Sequence, residues 1–256
     1  MHNGSSAALS CATLNVMKTE REALPEVSLL PIVALANELK APLAYISGAS
    51  SILLEEAAAL APEQQLLVRQ IMQSSDRMIR IVQGLANVRQ IGQTELSLEP
   101  VNIRQAIEEA AHDLAPLSRS LGCPIEVKVA RSAGLVVAHR EFLEHALFAL
   151  IDEALRQKAR NKEALVVTGR VQHQQTRVNV AQGTDISRAD FARLERTIGR
   201  ELQPIRANAP STGIGLYVAR HLTEAMRGTF GLERTQRTGA SVFIDLHSSS
   251  QLSLVQ

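Results

Sequence analysis

Two heptad patterns, one directly after the other, constrain this chain more than any other feature. Ile32, Leu39, Ile46 and Leu53 recur every seven residues, and Ala36, Leu43, Ser50 and Ala57 fill the interleaved row. An apolar repeat of that period needs a neighbouring helix along its whole length. "LAPEQQ" then interrupts it, with Pro62 suited to a first helical position and Glu63 to a first turn. The repeat resumes as Leu67, Ser74, Ile81 and Val88 on one row and Ile71, Met78 and Leu85 on the other, ending near Gly92. Two long helices with a short connection make an antiparallel hairpin. A hairpin cannot enclose both of its own seams. The pattern therefore predicts a homodimer, or a heterodimer with a related chain, that completes a four-helix bundle.

After Gly92 the pattern changes. "LSLEPVNIRQAIEEAAHDLAPLSRSLG" reads as a short extended piece and then a helix from about Ile103, and "CPIEVKV" as a strand. "LVVAHREFLEHALFALIDEALRQK" reads as a short strand and a helix with Phe142, Leu143, Ala146, Leu147, Leu150 and Ile151 on one stripe. "ALVVTGRVQ" and "TRVNVAQ" are β-branched runs spaced as a hairpin. The long polar stretch after them holds room for one short helix, and much of it is expected to be mobile. "IGLYVARHLTEAMRG" is a helix and "GTFGLERTQRTGASVFIDL" a closing hairpin. The fold class expected is α+β: a helical hairpin followed by an α/β sandwich. The expected boundaries are a disordered lead-in over 1–23, the hairpin over 24–95, the sandwich over 96–247 and a loose tail over 248–256.

Composition narrows the function classes. A formal net charge of +1 over 256 residues, with both signs spread along the chain, gives no basic face for nucleic acid. Tryptophan is absent and aromatics are 3 %, so the core must be aliphatic. Cys11 and Cys123 have no metal-ligand spacing and read as reduced thiols of a cytoplasmic protein. No apolar run approaches the roughly 20 residues a bilayer crossing needs. The N-terminus lacks the basic start and apolar core of a secretion signal, and no sensing domain of recognisable size is expected before the hairpin.

Three stretches carry candidate chemistry. In "ALANELKAPLAYI", Pro42 deprives the Glu38 carbonyl of its helical partner, so a bend is expected there. Asn37 then sits at the flank of the seam toward solvent; the stretch is either a docking or reaction point or a tolerated kink. In "STGIGLYVARHL", Gly213 and Gly215 let backbone amides approach an anion at a helix N-terminus, a phosphate cradle or simply a tight turn. In "ALFALIDEALRQK", Glu153 is either a surface carboxylate or, beside phosphates, a Mg²⁺ ligand.

Together and in this order, these stretches resemble the bacterial sensor histidine kinases of two-component systems. "ANELKAPLAYISGASSILLEE" is similar to the first helix of the family, "LSLEPVNIRQAIEEA" to its linker, "VVAHREFLEHALFALIDEALRQK" to its asparagine box and "STGIGLYVARHLTEAMRGTFGLERTQRTGASVFIDL" to its last glycine box. The resemblance implies a dimeric helical hairpin, a gyrase-type ATPase fold, ATP and Mg²⁺ as cofactors and a response regulator as partner. It assigns nucleotide binding to Glu153, Arg156, Gln182, Gly183, Thr212, Gly213, Ile214, Gly215 and Leu216, with Glu153 also as the Mg²⁺ ligand.

The departures are as informative. The phospho-accepting histidine falls on Asn37, whose amide nitrogen has its lone pair delocalised into the carbonyl and is a poor nucleophile. Glu38, which orients that histidine and takes its proton in the family, has none to serve. Ala41 stands where a Thr or Asn positions water for dephosphorylation. Ala149 and Glu153 replace the two asparagines of the asparagine box, and the aspartate that accepts from the adenine amino group falls on Ala181 or Gln182. His112, His139, His145, His173 and His221 lie in or beside the sandwich, where no acceptor is expected. The resulting expectation is a signalling pseudokinase scaffold. Its alternatives are an active sensor kinase, including one acting in trans on a partner, and a nucleotide-gated dimeric ATPase.

Overall fold

The computed structural model describes residues 26–55, 60–93, 95–158, 163–184, 187–200, 202, 212–235 and 239–249, with side chains described from residue 39 onward and not at 182–184, 235 and 239. The lead-in expected over 1–23, the tail beyond 249 and much of the expected mobile stretch lie outside these residues.

Helix α1 (Glu26–Glu55) continues through Pro42 without interruption. Helix α2 (Pro62–Gln90) starts with its proline in the first turn, and the Ala61 N–H donates to the Gln64 side chain at 2.9 Å. The two helices pack along each other as the expected hairpin. Among the described side chains of α1, those buried are Leu43 and Ser50, one heptad apart. Ser50 reconciles a hydroxyl with that position by donating to the carbonyl of Ile46, and Ser75 on α2 does the same to Ile71. Ser74, placed on a core row by spacing alone, is exposed, and Ser75 is buried instead. The buried stripe of α2 is displaced because α2 also packs against two helices of the second unit, where Val82, Gly84, Asn87 and Val88 are buried.

The second unit runs β1 (Glu99–Asn102), α3 (Ile103–Asp113), α4 (Ala115–Leu121), β2 (Ile125–Val129), β3 (Leu135–Ala138), α5 (Arg140–Lys158), β4 (Leu165–Gln172), β5 (Gln175–Thr184), α6 (Arg188–Thr197), α7 (Ile214–Ala225), β6 (Thr229–Thr235) and β7 (Gly239–His247). The single helix expected from Ile103 is two: α3, capped by the Asn102 side chain accepting from the Gln105 N–H at 3.1 Å, ends at Leu114, and Pro116 opens the short α4. Strands β2, β4, β5, β7 and β6, in that order, form one sheet in which β2 is parallel to β4 and the other pairs are antiparallel; β1 and β3 form a small second sheet.

Alternation sorts the main sheet into two faces. Val167, Val178, Val180, Val242, Ile244 and Leu246 are fully buried on the side that meets the helices. The other side carries Arg177, whose guanidinium lies 3.8 Å above the Phe243 ring and pairs with Asp245 at 2.7 Å. Helix α5 packs against α3, α7, α2 and the sheet, which explains why its apolar residues wrap around it rather than forming a narrow stripe.

The β4–β5 hairpin turns on His173 and Gln174, with φ of 45° and 65°, between the paired Gln172 and Gln175. Two successive positive φ values are the conformation for which Asn-Gly is the preferred pair, and both native side chains are strained in it. The double substitution His173→Asn, Gln174→Gly is expected to stabilise the chain by about 1 kcal/mol, read as a higher denaturant midpoint. An unchanged or lower midpoint would contradict this turn geometry.

Candidate functional site

Helix α5 presents two consecutive acids, Asp152 and Glu153, in an otherwise aliphatic run, and both are buried. They face different neighbours.

Asp152 meets the hairpin. Its side chain is 3 % exposed and accepts from Arg77 on α2, from Nε at 2.8 and 3.0 Å and from Nη2 at 2.8 Å. This is the forked arrangement in which guanidinium and carboxylate match best. Arg156, one turn on, approaches the same carboxylate at 3.4 Å. Two further contacts extend this junction. Arg80 pairs with Asp113 at 2.6 Å and lies 4.8 Å above the Phe148 ring. Asn87 Nδ2 donates to Glu141 at 3.1 Å and lies 3.1 Å from His145 Nδ1. Burial pushes the His145 pKa down, against the opposing pull of Glu141. Beside Arg77, Arg80 and Arg156 a cavity of about 450 Å³ opens between α2, α4 and α5.

Glu153 meets α7. It is 1 % exposed, and its Oε1 accepts from Gln157 Nε2 at 2.9 Å. The other Gln157 atom, Oε1, is buried with no hydrogen-bond partner among the described residues. Gly215 lies against the same turn of α5: a Cβ there would stand 2.6 Å from the Ala149 carbonyl oxygen, 3.0 Å from Glu153 Cβ and 3.2 Å from Glu153 Oε2. Gly213 caps α7 at φ +77°, the left-handed region that glycine enters without penalty. The last glycine box is thus the first turn of α7, pressed onto α5 at Ala149 and Glu153. Leu216 is fully buried behind it, Ile214 is half-buried, and Thr212 is exposed.

The remaining expected site residues fall as follows. Glu153 is not a surface carboxylate: α7 and Gln157 enclose it. Arg156 turns toward Asp152 at the hairpin junction. Ala181 is buried on β5, so no side-chain acceptor stands at that position. Gln182 and Gly183 continue β5 where its register with β7 shifts, between Ala181 and Thr184; the Gln182 side chain is outside the described residues. Asn37 and Glu38 lie within α1, and their side chains are likewise outside the described residues. The structure therefore brings Glu153, Gly213 and Gly215 together and sends Arg156 elsewhere. Sequence reasoning missed Arg77, Asp152 and Gln157. The doublet Asp152-Glu153 in an aliphatic helix was the available signal for the acids; nothing in the sequence pointed to Arg77, which lies 75 residues from its partner.

Comparison with known proteins gives the same architecture. Residues 34–94 match the His Kinase A (phospho-acceptor) domain. The Sensor protein GacS of Pseudomonas syringae pv. syringae is 25 % identical over 219 residues, covering 83 % of this chain and 24 % of the relative. The Sensor protein KdpD of Mycobacterium tuberculosis (strain ATCC 25618 / H37Rv) is 29 % identical over 225 residues, covering 83 % and 25 %. The chain thus spans about a quarter of the length of these curated relatives. Among solved structures, full-length ShkA in complex with AMPPNP superposes with a TM-score of 0.57 at 21 % identity, over 86 % of this chain and 46 % of that one. The histidine kinase AdeS of Acinetobacter baumannii superposes with a TM-score of 0.52 at 17 % identity, over 83 % and 98 %. A phospho-acceptor-type hairpin followed by an ATPase-like α/β unit is the architecture this chain shares with the sensor histidine kinases of two-component signalling, to which it is similar over most of its length.

Proposed function

We propose that this chain is a pseudokinase scaffold of two-component signalling: a dimer that docks a response regulator, or pairs with a related kinase, without accepting phosphate at the usual site. The observation that carries the reading is Asn37 at the acceptor position, inside a segment that otherwise matches the phospho-acceptor domain and an α1 that is unbroken around it. An amide nitrogen does not attack a γ-phosphoryl group as an imidazole does, and Ala41 offers no group to position water for the reverse reaction.

The division into a hairpin over 24–95 and an ATPase-like unit over 96–247 supports a scaffold with two separable surfaces. Dimerisation draws support from the heptad rows the single chain leaves uncovered: Leu39, Ile46 and Leu53 on α1 and Leu67, Ile71 and Met78 on α2 are exposed, Leu67 at 58 %. Tyr45, 79 % exposed just beyond Pro42, belongs to the face proposed for the regulator. No described helix is long and apolar enough to cross a membrane, and the proposed location is the cytoplasm. The ATP and Mg²⁺ implied by the resemblance meet a site altered at two points: the Glu153 carboxylate is buried against Gly215, and Ala181 offers no side-chain acceptor to a base.

Incubation with γ-labelled ATP tests the reading. The native chain is expected to take up no acid-labile phosphate; uptake at any residue of the native chain would reject it and favour an active kinase. Label gained only on Asn37→His would show that the acceptor alone had been lost.

A further inference from the structure

We infer that Asn87, Glu141 and His145 form a proton-sensitive joint between the hairpin and the ATPase-like unit: the neutral imidazole ties α2 to α5, and the protonated one gives up that tie. The inference rests on neither the acceptor chemistry at Asn37 nor the nucleotide site.

One ring nitrogen is shared between the two helices. His145 Nδ1 stands 3.1 Å from Asn87 Nδ2 on α2 and 3.0 Å from the Glu141 carbonyl oxygen on its own helix. The two neighbours make opposite demands: an amide N–H needs a lone pair on Nδ1, and a carbonyl needs a proton there. The Asn87 amide is oriented from a third side, because its Nδ2 also donates to Glu141 Oε1 at 3.1 Å. Turned over, the amide would set its oxygen against that carboxylate. Nδ1 therefore serves α2 only while unprotonated, in the tautomer that carries the ring proton on Nε2. Once protonated it donates to the Glu141 carbonyl one turn back, and the Asn87 N–H then faces another N–H. Asn87 is 6 % exposed, and beside it Gly84 lets α2 approach α7 so closely that a Cβ would stand 2.8 Å from Val218 Cγ1. Water has little room there to replace the lost acceptor.

The charges acting on the ring are Glu141 of α5, whose Oε1 lies 4.0 Å from Nδ1, and Arg80 of α2. The acids of α3 act on other groups, Asp113 on Arg80 and Glu109 on Glu144. His221 of α7 turns its Nδ1 to its own helix, 2.8 Å from the Tyr217 carbonyl. Burial is the largest influence on His145 and lowers its proton affinity; Arg80 acts the same way and Glu141 against. A ring freed from the joint binds a proton more readily. The joint is thus at full strength above the ordinary imidazole value of about 6.5 and weakens as the pH falls below it.

Nitrogen NMR of the imidazoles in the full chain reads the tautomer and proton affinity of His145, and hydrogen exchange reads the joint. Near about pH 7.5 the His145 Nδ1 should carry no proton, and Asn87→Ala should raise the proton affinity of the ring about fivefold, the scale of one hydrogen bond. Between about pH 7.5 and about pH 5.5, amides 82–88 of the native chain should lose about fivefold in protection relative to those of β4, after correction for intrinsic rates. His145→Gln, which does not titrate, should keep that ratio. A proton on Nδ1 near neutral pH would overturn the inference, and that measurement needs no variant. So would an unchanged proton affinity in Asn87→Ala, or an equal loss of protection in the native chain and His145→Gln.

Discussion

Arg77→Ala is expected to destabilise the folded chain by about 3 kcal/mol, a large share of the stability of an ordinary domain. The Arg77 fork supplies the well-formed hydrogen bonds to Asp152, whose side chain is 3 % exposed at the centre of the α2–α5 contact. Removing it takes the close partner from a carboxylate that is almost wholly buried and leaves, among the described residues, Arg156 at the longer distance of 3.4 Å. Loss of one partner from a buried pair typically costs about 3–5 kcal/mol, and the surviving Arg156 places this case at the lower end. Chemical denaturation of native, Arg77→Ala, Asp152→Ala and double-variant chains measures it. The double variant should lose less than the sum of the singles, because no buried carboxylate is then left behind and Arg156, 24 % exposed, can turn to water. Arg193→Ala is the comparison: that arginine, 66 % exposed, pairs with Asp190 at 3.3 Å, and its loss should cost under about 0.5 kcal/mol. A loss at Arg77 no larger than at Arg193 would mean that α2 does not rest on α5 as described.

Gly215→Val is expected to cost about 3 kcal/mol. The obstacle to a Cβ there is a backbone atom, the Ala149 carbonyl oxygen at 2.6 Å, so relief requires α5 and α7 to separate. Both helices are committed elsewhere: Leu147, Leu150, Ile151, Leu216 and Leu222 are fully buried along them. Gly48→Ala gives the opposite case, a helical glycine with nothing within 4 Å of its absent Cβ. That change should stabilise α1 by about 0.5–1 kcal/mol, the helix-propensity difference. Thermal unfolding of both variants measures the contrast. Equal melting temperatures would show that the α5–α7 contact is looser than the structure has it.

Much of the fold was readable from local pattern. The heptads and Pro62 define α1 and α2, and β-branched runs define β4 and β5, because these elements follow period and turn chemistry along the chain. What escaped depends on tertiary contact. Ser74 and Ser75 exchange places since α2 serves two neighbours, and heptad counting assumes one. The break between α3 and α4 at Leu114 was signalled by Pro116, yet the apolar spacing ran across it. At the site, residue types at Gly213, Gly215 and Glu153 were legible and their proximity was expected from the resemblance. That Glu153 is enclosed rather than open to a metal was not legible, because it depends on how closely α7 approaches α5. The Arg77–Asp152 pair was invisible for a similar reason: an arginine on a helix flank looks like any solvated one until the second unit is in place.

Asp152 and Glu153 follow one another on α5, one tied to α2 by a forked ion pair and the other lodged against α7. One turn of α5 is thus shared by both contacts, and a substitution that shifted its backbone would disturb the α2 and α7 contacts together.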